Sequence, residues 1–193
     1  MLVVGGGEVA TRRILGLIEG GARVTVVAPD ASEEIRQQAS ENKLVWINRR
    51  MREVDLGGVL LVFIATNDHT QNKYIAEMCR RRRIFCNVAD DADLCDFVIP
   101  SRVTRGDFMV TVSTSGKVPF LSKQVRLELE RQYGAEMGEL LSILARKRRE
   151  LLDTGKTNLI EKLARMDVTP LRELLRKGSR LEAEQWLKEK VDS

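Results

Sequence analysis

Met1-Leu-Val-Val-Gly5-Gly6-Gly7-Glu8-Val9-Ala10 opens the chain, and its reading decides the fold. A short β-branched run stops at three glycines. A helical pattern begins at once, with Ile14 one turn before Leu17 and Ile18, and Leu15 three before Ile18. Gly5, Gly7 and Ala10 fall at the spacing G-x-G-x-x-[GA] of a dinucleotide-binding turn, and each position has a physical task. Gly5 permits the tight exit from the strand. Gly7 has no Cβ, so a pyrophosphate can approach the backbone. Ala10 is small enough for helix and strand to pack closely. Backbone N–H groups at the helix N-terminus then face the phosphates. An ordinary Gly-rich βα turn could carry the same glycines; the strand before and the helix after favour cofactor binding.

Working outward, Gly20-Gly21 ends the helix, and Ala22–Val27 reads as the second strand. Pro29 closes it. Asp30 lies ~20 residues past the glycine turn, where an acidic side chain often receives the adenosine ribose hydroxyls. The acid comes late, after Ala28-Pro29, so capping the next helix is an equal alternative. Residues 31–42 read as that helix and Leu44–Ile47 as a short third strand. Val59–Ala65 is a continuous apolar run, as expected of a strand buried on both faces of a parallel sheet. It ends in Thr66-Asn67-Asp68, a polar cluster at the carboxyl edge, where such sheets bind ligands. A helix follows from about Thr70 to Arg83, and the arginines Arg80–Arg83 read as its solvated end. Ile84–Val88 is the fifth strand and delivers Asn87, Asp90 and Asp91 to the same edge. This is half of a doubly wound α/β fold.

The pattern then changes. Phe97–Thr104 and Phe108–Thr114 are β-rich runs joined through Arg105-Gly106-Asp107, which predicts a hairpin with its own pairing surface. Ser113-Thr114-Ser115-Gly116-Lys117 follows, rich in donors that could hold an anion. Pro119 opens a helix in which Leu121, Val125, Leu129 and Tyr133 recur along one face, with Lys123 and Arg126 off it. From about Gly138 the chain reads as helical, punctuated by Gly155, Pro170 and Gly178. Amphipathic stretches begin at Leu140, Leu159 and Leu171.

With 193 residues, 43% apolar and 31% charged, the composition is that of a soluble globular protein. No apolar run approaches the ~20 residues of a membrane span. Met1 leads straight into a core strand, so no signal peptide is expected. Cys79, Cys86 and Cys95 form no C-x-x-C and suit neither a zinc site nor a disulfide framework, which points to reduced thiols in a cytoplasm. His69 is the only histidine, which argues against a His-rich metal site or a Ser-His-Asp triad. Residues 140–193 hold 13 Lys and Arg against 9 Asp and Glu and so carry the whole net charge of +4. Charge alone favours a solvated helix face there. Nucleic-acid binding is disfavoured, because no aromatic platform interleaves the basic residues.

Several blocks taken together are more specific than the glycine turn. Val3-Val-Gly-Gly-Gly-Glu-Val-Ala10, Ala65-Thr-Asn-Asp68, Phe85-Cys-Asn-Val-Ala-Asp90, Phe97-Val-Ile-Pro-Ser101 and Thr111-Val-Ser-Thr-Ser-Gly-Lys-Val-Pro119 occur in that order. The chain closely resembles the precorrin-2 dehydrogenase family, including the dehydrogenase/ferrochelatase module of siroheme synthase. The resemblance runs from about residue 1 to 133 and more loosely beyond. It implies an NAD-binding Rossmann domain (residues 1–96), a dimerisation region of hairpin plus helix (97–137) and a helical C-terminal domain (138–193). It implies a homodimer that oxidises precorrin-2 to sirohydrochlorin with NAD as hydride acceptor, in siroheme or cobalamin biosynthesis. Some members also insert Fe2+, which makes Fe2+ or Co2+ a candidate chelation substrate. The family's catalytic aspartate maps onto Asp90, and its cofactor contacts onto Glu8, Val9, Pro29 and Asp30. Thr114 stands where siroheme synthase has a serine, and keeps the hydroxyl. Homologues carry a short segment before the first strand, so this first strand is expected to be short. The methyltransferase domain of siroheme synthase has no counterpart here.

The residues suit that chemistry. Dehydrogenating a macrocycle removes a hydride and a proton; the nicotinamide takes the first and a carboxylate such as Asp90 can take the second. Gly5, Gly7 and Thr66 are the cofactor candidates read from the sheet edge, and Asn87, Ser113, Thr114 and Lys117 the substrate candidates. Asp91, Asp93 and Asp96 read better as loop caps. An anionic tetrapyrrole gives Lys117, Lys123 and Arg126 something to bind. The rival reading is a regulatory NAD-sensing Rossmann module without chemistry, which leaves Asn87–Asp90 and Ser113–Lys117 without a task.

Overall fold

The computed structural model describes residues 1–192. They form two compact units, Met1–Val98 and the chain from Ile99 onward.

In the first unit, β1 (Leu2–Val4) is buried at all three positions because it is the central strand. It lies in a five-stranded sheet of order β3-β2-β1-β4-β5. The other strands are β2 (Thr25–Val27), β3 (Val45–Ile47), β4 (Leu61–Ile64) and β5 (Phe85–Val88), all parallel. Helices α1 (Glu8–Glu19), α2 (Glu33–Ser40) and α3 (His69–Arg81) follow β1, β2 and β4. A 3-10 turn at Glu53–Leu56 stands where a helix between β3 and β4 would come. The chain winds from β1 out to β3, then crosses back to lay β4 against β1. That reversal leaves a crevice between the carboxyl ends of β1 and β4, the place where open α/β sheets bind ligands.

The strands are shorter than their apolar runs. Val24 and Ile84 are buried yet lie outside the ladders, since burial rather than pairing sets their character. Helix α2 also starts later than expected. Its N-cap is Ser32, whose hydroxyl accepts the Ile35 N–H at 3.3 Å. Asp30 is therefore not the cap. Ile14 packs inward on α1, while Leu15 remains 38% exposed. Of the arginine run, Arg82 pairs with Glu53 at 2.6 Å and so ties α3 to the 3-10 turn.

The second unit begins with the antiparallel pair β6 (Ser101–Arg105) and β7 (Phe108–Val112). Gly106 turns the hairpin at φ +59°, a conformation that favours glycine. Residues 97–100, expected as strand, lie outside the β6–β7 ladder. Pro119 occupies the first turn of α4 (Pro119–Gln132) as predicted. Helices α5 (Glu136–Asp153), α6 (Thr157–Arg165), α7 (Thr169–Arg176) and α8 (Arg180–Asp192) complete it. Their core is Leu140, Ile143 and Leu151 against Leu171, Leu175, Ala183, Leu187 and Val191. Among the described residues no helix is long and apolar enough to cross a membrane.

The carboxyl end of α4 is held by charge. Arg105 donates to the Tyr133 and Glu130 carbonyls at 3.0 and 3.3 Å, and Arg172 donates to that of Gln132 at 2.5 Å. Glu136 is 8% exposed and accepts from Arg172 at 3.0 Å and Arg176 at 3.3 Å. Burial pushes its carboxyl up, but Arg172, Arg176 and nearby N–H groups hold it below the ordinary value. Such a group contributes stability at neutral pH and loses it as pH falls through its folded pKa. Glu136→Gln should destabilise the second unit by about 1–3 kcal/mol, because two arginines lose their charged acceptor. Thermal unfolding at pH 7 and at progressively lower pH checks this: the gap between wild type and variant should narrow as the carboxyl is protonated.

Candidate active site

The three glycines do different work. Gly5 sits at φ +116°, which L side chains rarely adopt, and a Cβ there would collide with the Ala65 carbonyl across the crevice. A Cβ on Gly6 would collide with the Asp30 carbonyl. Gly7 is unlike either: its φ is an ordinary −83°, and a Cβ would meet nothing within 4 Å. Nothing in the protein demands glycine at 7, whereas a pyrophosphate lying against the backbone does. Gly7 offers no side-chain cap to α1. The first-turn N–H groups at Glu8 and Val9, both exposed, are thus left for an anion. These residues fit a dinucleotide.

A cleft of about 460 Å³ opens over this turn. It brings together Gly5, Gly7, Pro29, Asp30 and Thr66, and adds Gly6, Arg50, Met51 and Gln71, which the sequence reading did not single out. Thr66 is fixed by the buried Asn72: its hydroxyl donates to Asn72 Oδ1 at 2.5 Å, and Asn72 donates back to the Thr66 carbonyl at 3.0 Å. Arg50 and Met51 ride on a loop braced by a two-pronged ion pair, Arg49 to Asp55 at 2.7 and 2.6 Å. The Arg49 guanidinium holds the Asp55 carboxyl below its usual range. Asp30 accepts the Ala31 N–H at 2.9 Å and Arg36 at 2.5 Å, and these bonds lower its pKa.

Asp90 stands beyond the carboxyl end of β5, its side chain 43% exposed. His69 Nδ1, at the first residue of α3, lies 3.3 Å from Asp90 Oδ2. The sequence reading used this histidine only to exclude metal and triad chemistry; no spacing links positions 69 and 90. The segment after Asp90 is pinned back on β5. Asp91 accepts the Asp93 N–H at 3.1 Å, and Asp96 accepts the Cys86 N–H at 2.8 Å, so both cap backbone as expected. Asn87 is 8% exposed and donates to the Phe97 carbonyl at 2.9 Å, which commits its amide nitrogen to holding that segment. Burial pushes the Cys95 thiol up, and hydrogen bonding to Cys79 pushes Cys86 up, so neither is an activated nucleophile.

Ser113, Thr114 and Lys117 belong to the second unit. Ser113 accepts the Ser115 N–H at 3.1 Å, and Thr114 accepts the Val118 N–H at 3.3 Å just before α4. The turn between them uses positive φ at Ser115 and Gly116, and Lys117 stands exposed. Arg126, expected to meet an anion, pairs with Glu130 one turn on at 2.6 Å.

Comparison with known proteins places this arrangement. Residues 1–101 match a family model described as "Putative NAD(P)-binding". Siroheme synthase 2 of Yersinia pestis (strain Pestoides F) is 38% identical over 148 residues, 77% of this chain and 31% of that protein. The siroheme synthase of Neisseria meningitidis serogroup C is 35% identical over the same shares. The match therefore spans about a third of the length of these curated relatives. The solved structure of SirC, a precorrin-2 dehydrogenase, aligns with a TM-score of 0.70 at 28% identity, covering 99% of this chain and 92% of that one. With a family match over the first unit and a structural match to a precorrin-2 dehydrogenase along nearly its whole length, the chain belongs to the putative NAD(P)-binding family and is similar in fold to the precorrin-2 dehydrogenase SirC.

Proposed function

We propose that this chain oxidises precorrin-2 to sirohydrochlorin with NAD+ as hydride acceptor. The observation that carries the reading is the bare Gly7, beside free first-turn N–H groups at the crevice, with Asp90 on the same carboxyl edge of the sheet. When bound, the cofactor supplies a hydride acceptor. Gly5–Gly7 and the start of α1 hold its phosphates, and Thr66, fixed by Asn72, shapes the floor of the cleft. Asp90 takes the proton released with the hydride. His69 Nδ1 lies 3.3 Å from Oδ2 of Asp90, which leaves Oδ1 open to accept it. Lys117 and the hydroxyls of Ser113 and Thr114 supply donors for the substrate's carboxylates. The test is anaerobic incubation with precorrin-2 and NAD+, followed by absorbance, with and without Fe2+ and Co2+. Sirohydrochlorin and NADH formed together support the reading; NAD+ binding without turnover would leave a regulatory module. A metallated product in the Fe2+ or Co2+ arm would add chelation.

A homodimer completes the proposal. The β6–β7 pair is a two-stranded ribbon, marginal by itself. Met109 is 53% exposed, and on α4 Phe120 is 70% and Leu121 45% exposed. Val125, Leu129 and Tyr133 of the seam are half-buried, so the open apolar surface is Met109, Phe120 and Leu121, and a second copy is the cover that costs no new partner. Light scattering at micromolar concentration should give twice the chain mass of 21.8 kDa. Phe120→Glu should shift it toward the monomer; a monomeric, active wild type would refute the interface.

A further inference from the structure

Asp30 is held in an unusual way for a residue expected to meet a ribose. Both of its contacts go to one oxygen: the Ala31 N–H and Arg36 Nη2 both donate to Oδ1. Among the described residues nothing pairs with Oδ2. Arg36 is itself seated, with its guanidinium 5.7 Å from the centre of the Trp46 ring. Trp46 in turn donates its indole N–H to the Ala28 carbonyl at 3.1 Å, two residues before Asp30. A planar guanidinium can stack on a ring and hydrogen-bond at its edge at once, which an ammonium cannot do. The result is a closed loop of contacts, Ala28–Trp46–Arg36–Asp30, across α2 and β3 at one wall of the cofactor cleft.

We infer that Arg36, seated on Trp46, is the positioning residue that sets this chain's choice of NAD+ over NADP+, by holding Asp30 Oδ1 so that Oδ2 accepts from the adenosine ribose hydroxyls. The inference rests on the reading of Asp30 as the ribose acceptor. An anionic Asp30 accepts from a 2′-hydroxyl and repels a 2′-phosphate. Arg36 could in principle serve a 2′-phosphate directly. The geometry speaks against it, because the guanidinium is already engaged at its edge by Asp30 and on its face by Trp46. Arg36 therefore acts through Asp30 and does not touch the cofactor.

The experiment is a double-mutant cycle on cofactor affinity, measured by titration calorimetry with NAD+ and with NADP+, with folding checked by circular dichroism. Asp30→Ala should weaken NAD+ roughly tenfold and narrow the gap to NADP+. Arg36→Ala should weaken NAD+ roughly fivefold, and should add almost nothing in the Asp30→Ala background, since its effect passes through the carboxylate. Arg36→Lys keeps the charge but not the stacked fork and should recover only part of the loss. If Asp30→Ala leaves NAD+ affinity unchanged, the ribose reading itself fails. If Asp30→Ala weakens NAD+ but Arg36→Ala does not, or if the two losses simply add, Arg36 has no positioning role. Arg36→Ala that weakens NADP+ more than NAD+ would make Arg36 a phosphate receptor and overturn the inference.

Discussion

Gly7→Val should fold, dimerise and lose NAD+ affinity by roughly 10²-fold or more, because branched methyls then occupy the space a pyrophosphate must enter. Most glycine-to-valine changes in a βα turn confound binding with folding. This one does not. Gly7 has an ordinary φ of −83° and open space within 4 Å of its would-be Cβ. The folding cost is confined to a poorer helix N-cap, about 1 kcal/mol. Gly5 and Gly6 provide the contrast. Side chains there run into the Ala65 and Asp30 carbonyls, so Gly5→Val or Gly6→Val should lower thermal stability before any question of cofactor arises. The pattern to look for is a Gly7→Val protein with a near-normal melting curve and no measurable heat of NAD+ binding. Wild-type affinity in that protein would take the phosphate role away from the turn.

What could be read in the sequence follows from how local each signal is. The strand–glycine–helix turn is contiguous, so β1, Gly5, Gly7 and α1 were legible from ten residues. The parallel core was legible from Val59–Ala65, of which Leu61–Ile64 is the strand, although Leu60 at the start of the run is 83% exposed and not covered as expected. The ends of elements were less so. Asp30 and Ser32 are both good caps by residue type, and only the path of the chain decides that Ser32 takes the helix and leaves Asp30 to Arg36. Gly6 hid between two glycines with motif roles, although it is the one most tightly crowded by the loop after β2. Arg36, Trp46, Asn72 and His69 were not legible as site residues at all. Each acts through a partner brought close by the path of the chain or by strand neighbours, across 6 to 21 positions of sequence. A single sequence carries no mark of such pairs.

Asp90→Asn is expected to reduce dehydrogenase turnover by roughly 10²-fold or more, the usual scale of general acid–base assistance. Asparagine keeps the volume of aspartate and can still hydrogen-bond, but it cannot accept a proton as a carboxylate does. Asp90 is a half-exposed side chain 3.3 Å from His69, and the neighbouring 3-10 turn is capped by Asp91. Its loss should thus leave the melting temperature nearly unchanged. NAD+ affinity should also hold, because Gly5–Gly7, the proposed phosphate-binding turn, lie at a different strand end. Single-turnover absorbance changes, with NAD+ binding measured in parallel, separate the two functions. Should the protein also insert metal, the same variant supplied with sirohydrochlorin and Co2+ should be impaired, since the pyrrole N–H protons need an acceptor too. Wild-type turnover in Asp90→Asn would mean that catalysis rests on holding cofactor and macrocycle in contact, with the proton leaving to water. Loss of metal insertion alone would confine the carboxylate to the chelation step. The exposure of the carboxylate supports the strong result: a side chain 43% open to solvent can give up each proton it takes before the next turnover.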